Sequence, residues 1–265
     1  MNTNLFDLLT YFIIYSFLGW IMESTVRSVC ERKIINTGFL NGPCCPIYGI
    51  GAIIMLLFLG KFEERPILLI FLSITILTLW EYVVGVLLEK IFHTKYWDYS
   101  KQKFNFQGRI CLVNSICWGI LGLIFIKILH PFVQNIVLKI DKSILTYTIV
   151  LCTIIFLIDT VISIVNVKNI KTTLDKIEEM NKEIKEKLKE LRKLKLKKEK
   201  ETEKSTIENI QNLVNQLKRK RNKTILRLYK NVYRLKKAFP DINTKEITEV
   251  LNKKIELIKN REKNK

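Results

Sequence analysis

Five stretches of mostly apolar residues occupy the first 167 positions of the chain: Leu5–Val29, Pro46–Phe62, Pro66–Phe92, Ile110–Leu129 and Ile144–Val167. A hydrocarbon core needs about 20 consecutive mostly apolar residues per helix. The pattern predicts an all-α, polytopic membrane protein with about five transmembrane helices. Pro66 suits the opening of the third, because a first helical turn does not use its missing N–H. After Val167 the long apolar runs stop and apolar positions recur at helical spacing instead: Ile170, Leu174, Ile177, Ile184, Leu188 and Leu191, with Asn181 in the same register. That predicts a long helix with a short coiled-coil seam, in which a buried Asn at an a position sets register and oligomeric state. Continuation of the fifth span into this helix is expected. Ser205-Thr-Ile-Glu208 reads as a capping box opening a second amphipathic helix that ends at Pro240, and Asn243…Glu246 as the cap of a third. The expected domains are a five-span membrane domain, residues 1–167, and a basic helical cytosolic tail, residues 168–265.

Charge sharpens this division. Residues 168–265 carry 31 Lys/Arg and 15 Asp/Glu, a net of +16, whereas residues 1–167 net only +3. The connections after the first and third spans carry eight Lys/Arg and the other two carry five. Basic residues accumulate on the cytosolic side, so the reading is a multi-pass cell-membrane protein with its N-terminus outside and its C-terminus in the cytoplasm. The first span lacks the basic n-region and small-residue cleavage site of a signal peptide. The tail's basic residues suit anionic lipid headgroups. No recognition module accompanies that charge, which argues against a nucleic-acid partner. Six cysteines without paired ligand spacing, and only two histidines, predict neither a disulfide framework nor a metal site. No cofactor is implied.

Two loops and a few charges carry the candidate chemistry. The first loop holds Asn41, Gly42, Pro43, Cys44, Pro46, Tyr48 and Gly49 in a Gly- and Pro-rich apolar run. Such a run suits either a tight turn or a broken, re-entrant segment, which is tolerated at membrane depth only when buried in protein or lining a wet cavity. The second loop sets five aromatics among basic and amide residues between Lys95 and Arg109, as an interfacial belt does. Glu23 and Arg27 stand one helical turn apart, Glu81 sits between Trp80 and Tyr82, and Asp159 interrupts the fifth span. Ionisable groups at such depth cost about 2.5–3.5 kcal/mol on insertion scales and face the bundle interior. Glu23, Arg27, Glu81 and Arg109 are therefore the candidate site at the cytosolic mouth, with Arg27 or Arg109 bridging carboxylates. An internal echo also appears. Trp20…Glu23 followed by Tyr48-Gly-Ile-Gly51 parallels Trp80-Glu81 followed by Trp118-Gly-Ile-Leu-Gly122, the form of a parallel repeat known in transporters.

Gly38-Phe-Leu-Asn-Gly-Pro-Cys-Cys-Pro-Ile-Tyr-Gly-Ile-Gly51, Trp97-Asp-Tyr99 and Phe106-Gln-Gly-Arg-Ile-Cys-Leu112, with Tyr15-Ser-Phe-Leu-Gly-Trp20…Glu23 and Trp80-Glu-Tyr82 upstream, resemble the ABC-transporter type IV permease family of bacterial membrane proteins. The resemblance covers about residues 10–135 and excludes the tail. It implies an integral membrane permease subunit and transfers no substrate. The chain itself has no phosphate-cradling GxxxxGK[ST] loop: its only Gly-Lys pair, Gly60-Lys61, is followed by Phe62 and has Met55 where the first Gly belongs. A permease of this kind needs a separate ATPase subunit. Five spans make a small pathway, so a homo-oligomer or a partner permease is also expected. The alternative is a non-transporting membrane anchor whose basic tail recruits cytosolic partners or anionic lipid. An enzyme is not expected, because no nucleophile–base–orienter set can be placed.

Overall fold

The structure is a computed structural model that describes residues 4–92, 95–196, 201–239, 242 and 245–262. Its helices are α1 (Leu5–Cys30), α2 (Pro46–Leu59), α3 (Pro66–Phe92), α4 (Leu112–Ile124), α5 (His130–Lys139), α6 (Lys142–Leu196), α7 (Glu201–Ala238) and α8 (Lys245–Glu262). A two-residue antiparallel pair joins β1 (Asn105–Phe106) to β2 (Ile110–Cys111). Two compact units result: Met1–Ile164 with Leu235–Ile242, and Val165–Arg234 with Asn243–Lys265.

In the first unit, four stretches among the described residues are long and apolar enough to cross a membrane: Leu5–Cys30, Pro66–Phe92, Leu112–Lys139 and the apolar part of α6. The expected second span is shorter. α2 has 14 residues, extended by a 3₁₀ turn at Gly60–Phe62. At 1.5 Å per residue α2 is about 21 Å long, short of a hydrocarbon core of about 30 Å. The fourth stretch is longer than expected and continues beyond Leu129 through α5. Pro131 explains the geometry, since its ring would crowd the carbonyl four residues before it. A π turn at Phe125–Leu129 precedes it and carries the helical path onward. α6 runs unbroken from Lys142 because no Gly or Pro occurs before Leu196.

α1 packs mainly on α2 and α3 mainly on α4, giving two helical hairpins. Their shared core is built from Tyr11, Tyr15, Ala52, Met55, Leu59, Leu69, Leu77, Phe125, Ile126 and Val133. Glycines set the hairpin spacing. A Cβ on Gly49 would lie 2.7 Å from the Phe12 carbonyl oxygen, and one on Gly119 would lie 2.6 Å from Ile74 Cγ1. Small residues let helix backbones approach this closely. Outward-facing Leu151, Ile154, Ile155, Ile158 and Val161 on α6 remain exposed, as lipid-facing side chains do.

In the second unit, the predicted apolar stripe finds its partner within the chain. Ile184 and Leu191 of α6 bury against Ile210 and Val214 of α7, with Leu188, Leu194 and Leu217 packed around them. Asn181 accepts from Arg221 Nη1 of α7 at 2.9 Å. α7 begins at Glu201, so Ser205–Glu208 lies inside the helix and does not open it. Pro240, Asn243 and Thr244 lie outside the described residues, and the expected cap of the third helix with them.

Candidate functional site

The first loop does not make a tight turn. Ser16, Trp20, Ser24 and Ser28 stand four residues apart on one face of α1, and the loop runs down them in reverse. Ile35 N donates to Ser28 Oγ at 3.0 Å. Thr37 N donates to Ser24 Oγ at 3.2 Å, and the Thr37 and Ser24 hydroxyls meet at 2.8 Å. Trp20 Nε1 donates to Asn36 Oδ1 at 2.6 Å, and Cys45 N donates to the Ser16 carbonyl at 2.9 Å. Ser16 is the twelfth of the 26 residues of α1. The loop therefore returns about halfway along α1 before α2 starts at Pro46, which is the geometry of a re-entrant segment. The polar ladder explains how an irregular backbone survives there: its N–H groups find side-chain oxygens.

A second anchor comes from α6. Asp159 accepts from Gly42 N at 2.7 Å, from Asn41 Nδ2 at 2.8 Å and from Asn41 N at 3.2 Å. Asn41 also donates to Ser163 Oγ at 2.8 Å. The charge that interrupts the fifth span thus clamps the Asn41-Gly42 turn. Of the remaining loop-motif residues, Pro43 is exposed, Cys44 is half-buried, Cys45 is buried and Pro46 opens α2. Tyr48 and Gly49 face α1, where a Cβ on Gly19 would strike the Tyr48 ring.

The second loop is folded by its own contacts. Asp98 accepts from Ser100 N at 3.0 Å and from its hydroxyl at 2.5 Å. Those bonds hold the Asp98 carboxyl below its usual range. Trp97 Nε1 donates to the Arg109 carbonyl at 2.9 Å, and Tyr99 N to the Gly108 carbonyl at 2.8 Å. The β1–β2 pair was not foreseen. Two residues per strand leave no periodic signal. The two loops meet at one end of the unit, where the Phe39 ring lies 5.2 Å from Phe92 and 5.9 Å from Tyr96.

The four candidate charges do not form one cluster. Arg27 pairs with Glu31 at 2.8 Å and donates to the Lys237 and Ala238 carbonyls. No ion pair between Arg27 and Glu23 occurs among the described residues. Arg109 grips Glu89 with two nitrogens, at 2.7 and 3.1 Å, and its guanidinium lies 5.8 Å from the Tyr82 ring centre. It does not bridge Glu81. Half-buried Glu23 lies against the Tyr48 hydroxyl and 4.0 Å from Cys45 Sγ. Glu81 is buried, with Oε1 accepting from the Tyr99 hydroxyl at 3.2 Å and Oε2 from Trp118 Nε1 at 2.9 Å. Asn114 adds a third side-chain hydrogen bond. Burial pushes the Tyr99 hydroxyl pKa up, with Glu81 adding to it, so Tyr99 stays a donor across the physiological range. Sequence reasoning missed the Tyr99, Asn114 and Trp118 cage. Its only signal was the recurrence of an aromatic followed by Gly after each Glu, Tyr48-Gly49 and Trp118-Gly119.

Glu81 borders a cavity of about 310 Å³ between the two hairpins, walled otherwise by apolar and aromatic side chains including Tyr15, Tyr48, Met55, Trp80, Trp118 and Phe125. Trp80 is fixed by donating to the Ile47 carbonyl at 3.1 Å. Among the described residues no group of three or more His, Cys, Asp or Glu comes together as a metal site would require. Such a volume falls at the low end for small-molecule sites, which combine mostly apolar walls with a few placed polar groups.

No curated protein and no solved structure matches the chain. Residues 10–164 match the family described as "Putative ABC-transporter type IV". The match extends past the loop motifs through the apolar part of α6, including Asp159 and Ser163, which hold the first loop. With more than half its length matched, the chain belongs to this family of ABC-transporter-like membrane proteins.

Proposed function

We propose that the protein is a permease-like subunit of an ABC-type transport system, with the cavity beside Glu81 as its substrate site. The observation that carries this reading is a buried carboxylate, 4% exposed, on the wall of an otherwise apolar cavity between two membrane hairpins. A membrane protein that only anchored a tail would gain nothing from such a group, which is costly at depth. Family membership over residues 10–164 supports the same reading. ATP hydrolysis belongs to a separate subunit, because the chain lacks a phosphate-cradling loop. In this reading the N-terminus is outside. The two loops that meet through Phe39 and Tyr96 then face the cytoplasm, where the ATPase would dock, and a second copy or a partner permease completes the pathway.

Affinity purification from native membranes in mild detergent, with mass spectrometry of co-eluting proteins, tests the reading. A stoichiometric ATPase whose hydrolysis is stimulated by the reconstituted protein is the expected result. Recovery of the protein alone, or only with soluble non-ATPase partners, would overturn it. Alkylation of Cys30, which is exposed at the loop end of α1, tests the orientation: a membrane-impermeant maleimide should label it in inverted vesicles and not in intact cells.

A further inference from the structure

We propose that the cavity between the hairpins binds a small organic cation with an aromatic or branched aliphatic body, held by Glu81. This deepens the permease reading and rests on it for the biological role of the site. Three features point to that class of ligand.

The first is unbalanced charge. The ion pairs among the described residues take Glu31, Glu89, Glu178, Glu190 and Glu249, and none takes Glu81. The partners of Glu81 are the Tyr99 hydroxyl, the Trp118 indole N–H and the Asn114 side chain, all neutral. They fix the carboxyl group in place and supply no opposite charge, so its ionised form is costly until a cation pairs with it.

The second is the wall. Tyr15, Tyr48, Trp80, Trp118 and Phe125 border the same space. Aromatic faces attract cations, most strongly tryptophan and most strongly where water is excluded.

The third is what the site rejects. Among the described residues Glu81 is the only Asp, Glu, Lys or Arg on the wall, so an anion finds no opposite charge there. A bare divalent metal would need several oxygen or nitrogen ligands, and the indole N–H beside Glu81 can only donate. A cation that carries its own apolar body satisfies the carboxylate and the wall together.

The test uses the full chain in nanodiscs of zwitterionic lipid. Phenyltrimethylammonium is the probe, tert-butylbenzene its neutral isostere, and binding is read by calorimetry. Wild type should bind the cation. Glu81→Gln should weaken that binding about tenfold or more, and Glu64→Gln, an exposed control between α2 and α3, should leave it unchanged. Equal binding of the neutral isostere, undiminished binding by Glu81→Gln, or no binding by wild type would overturn the proposal. A second measurement needs no variant. Labelling of Glu81 by dicyclohexylcarbodiimide in wild type, followed by mass spectrometry, should slow when the cation is present, and an unchanged rate would overturn the proposal even if Glu81→Gln fails to fold. Cation binding without any ATPase partner would leave this inference standing and remove the permease reading. ATP-driven transport without cation binding would do the reverse.

Discussion

The two hairpins of the membrane unit use one device in two settings. In each, a glutamate on the first helix meets the polar hydrogen of an aromatic residue on the second, Glu23 with Tyr48 and Glu81 with Trp118. In each, a glycine follows that aromatic and lets the helices close, Gly49 and Gly119. The settings then diverge. Glu23 is half-buried, one turn from Arg27, and does not border the cavity. Glu81 is sealed in, faces only neutral donors and borders the cavity. The loops diverge too, since the first is held by α1 and α6 and the second by itself. Neither glutamate is ion-paired among the described residues, but Arg27 lies near Glu23 while Glu81 has only neutral donors and the cavity beside it, so on the cation proposal the first hairpin braces and the second holds the ligand.

The glycines give the largest expected effect. On Gly49 an added methyl meets the Phe12 carbonyl oxygen, a backbone atom that cannot step aside. On Gly119 it meets Ile74 Cγ1 at 2.6 Å, a side-chain carbon that can shift where a backbone carbonyl cannot. Overpacking costs about 1–3 kcal/mol, so Gly49→Ala should lie at the upper end, about 3 kcal/mol, and Gly119→Ala at the lower, about 1 kcal/mol. Thermal unfolding in detergent of both variants checks this. Equal losses would show that the hairpins yield alike.

The next comparison separates the loops. Asp159→Ala removes a carboxylate that accepts three bonds from Asn41 and Gly42, two of them exposed, and should cost about 2 kcal/mol, within the net of about 1.5–3 kcal/mol for one hydrogen bond to a charged group. Asp98→Ala in the second loop should cost about 1 kcal/mol or less, because water reaches its partners. Asp159→Ala should also speed alkylation of half-buried Cys44 severalfold, whereas Asp98→Ala should not. Unchanged labelling by Asp159→Ala would mean that the α1 ladder alone holds the loop.

These effects also mark what the sequence made legible. Long apolar runs predict the membrane unit because each residue of a span adds to one signal. The Gly- and Pro-rich composition from Gly38 to Gly51 announced an unusual segment, but a tight turn and a re-entrant one share that composition. What separates them is the Ser16, Trp20, Ser24 and Ser28 ladder, whose spacing carries meaning only once the loop is known to lie on it. Glu81 and Asp159 stood out as charges in spans, yet apart from Ser163 beside Asp159 their partners lie 18 to 118 residues away. Without a fold, proximity in sequence suggested the i, i+4 pair of Glu23 and Arg27, and the structure gives Arg27 to Glu31 instead. The short α2 was hidden because Gly60-Lys61-Phe62 prolongs its apolar run.

Removing the aromatic donors compares the two carboxylates directly. Trp118→Phe leaves one oxygen of buried Glu81 short of a partner, and an unsatisfied buried group costs about 1–3 kcal/mol. Tyr48→Phe removes the hydroxyl beside Glu23, which is half-exposed and near Arg27, so the loss should stay below about 1 kcal/mol. If Trp118→Phe proves the milder change, water enters the cavity and satisfies Glu81, and the asymmetry between the hairpins is smaller than the geometry indicates.

The smallest expected effect lies with Arg109. Its fork holds Glu89 Oε2 through two nitrogens while its face covers Tyr82, and a lysine can reproduce neither the two-nitrogen grip nor the stacking. Glu89 remains about one-third exposed, and exposed pairs contribute about 0–1 kcal/mol. Arg109→Lys should therefore cost about 0.5 kcal/mol and leave cation binding at Glu81 unchanged, because the Arg109–Glu89 pair belongs to the loop and does not border the cavity. A tenfold change in binding would mean that the second loop transmits its position to Glu81 through Tyr99, and the cage would then have to be read as part of the loop and no longer as part of the bundle.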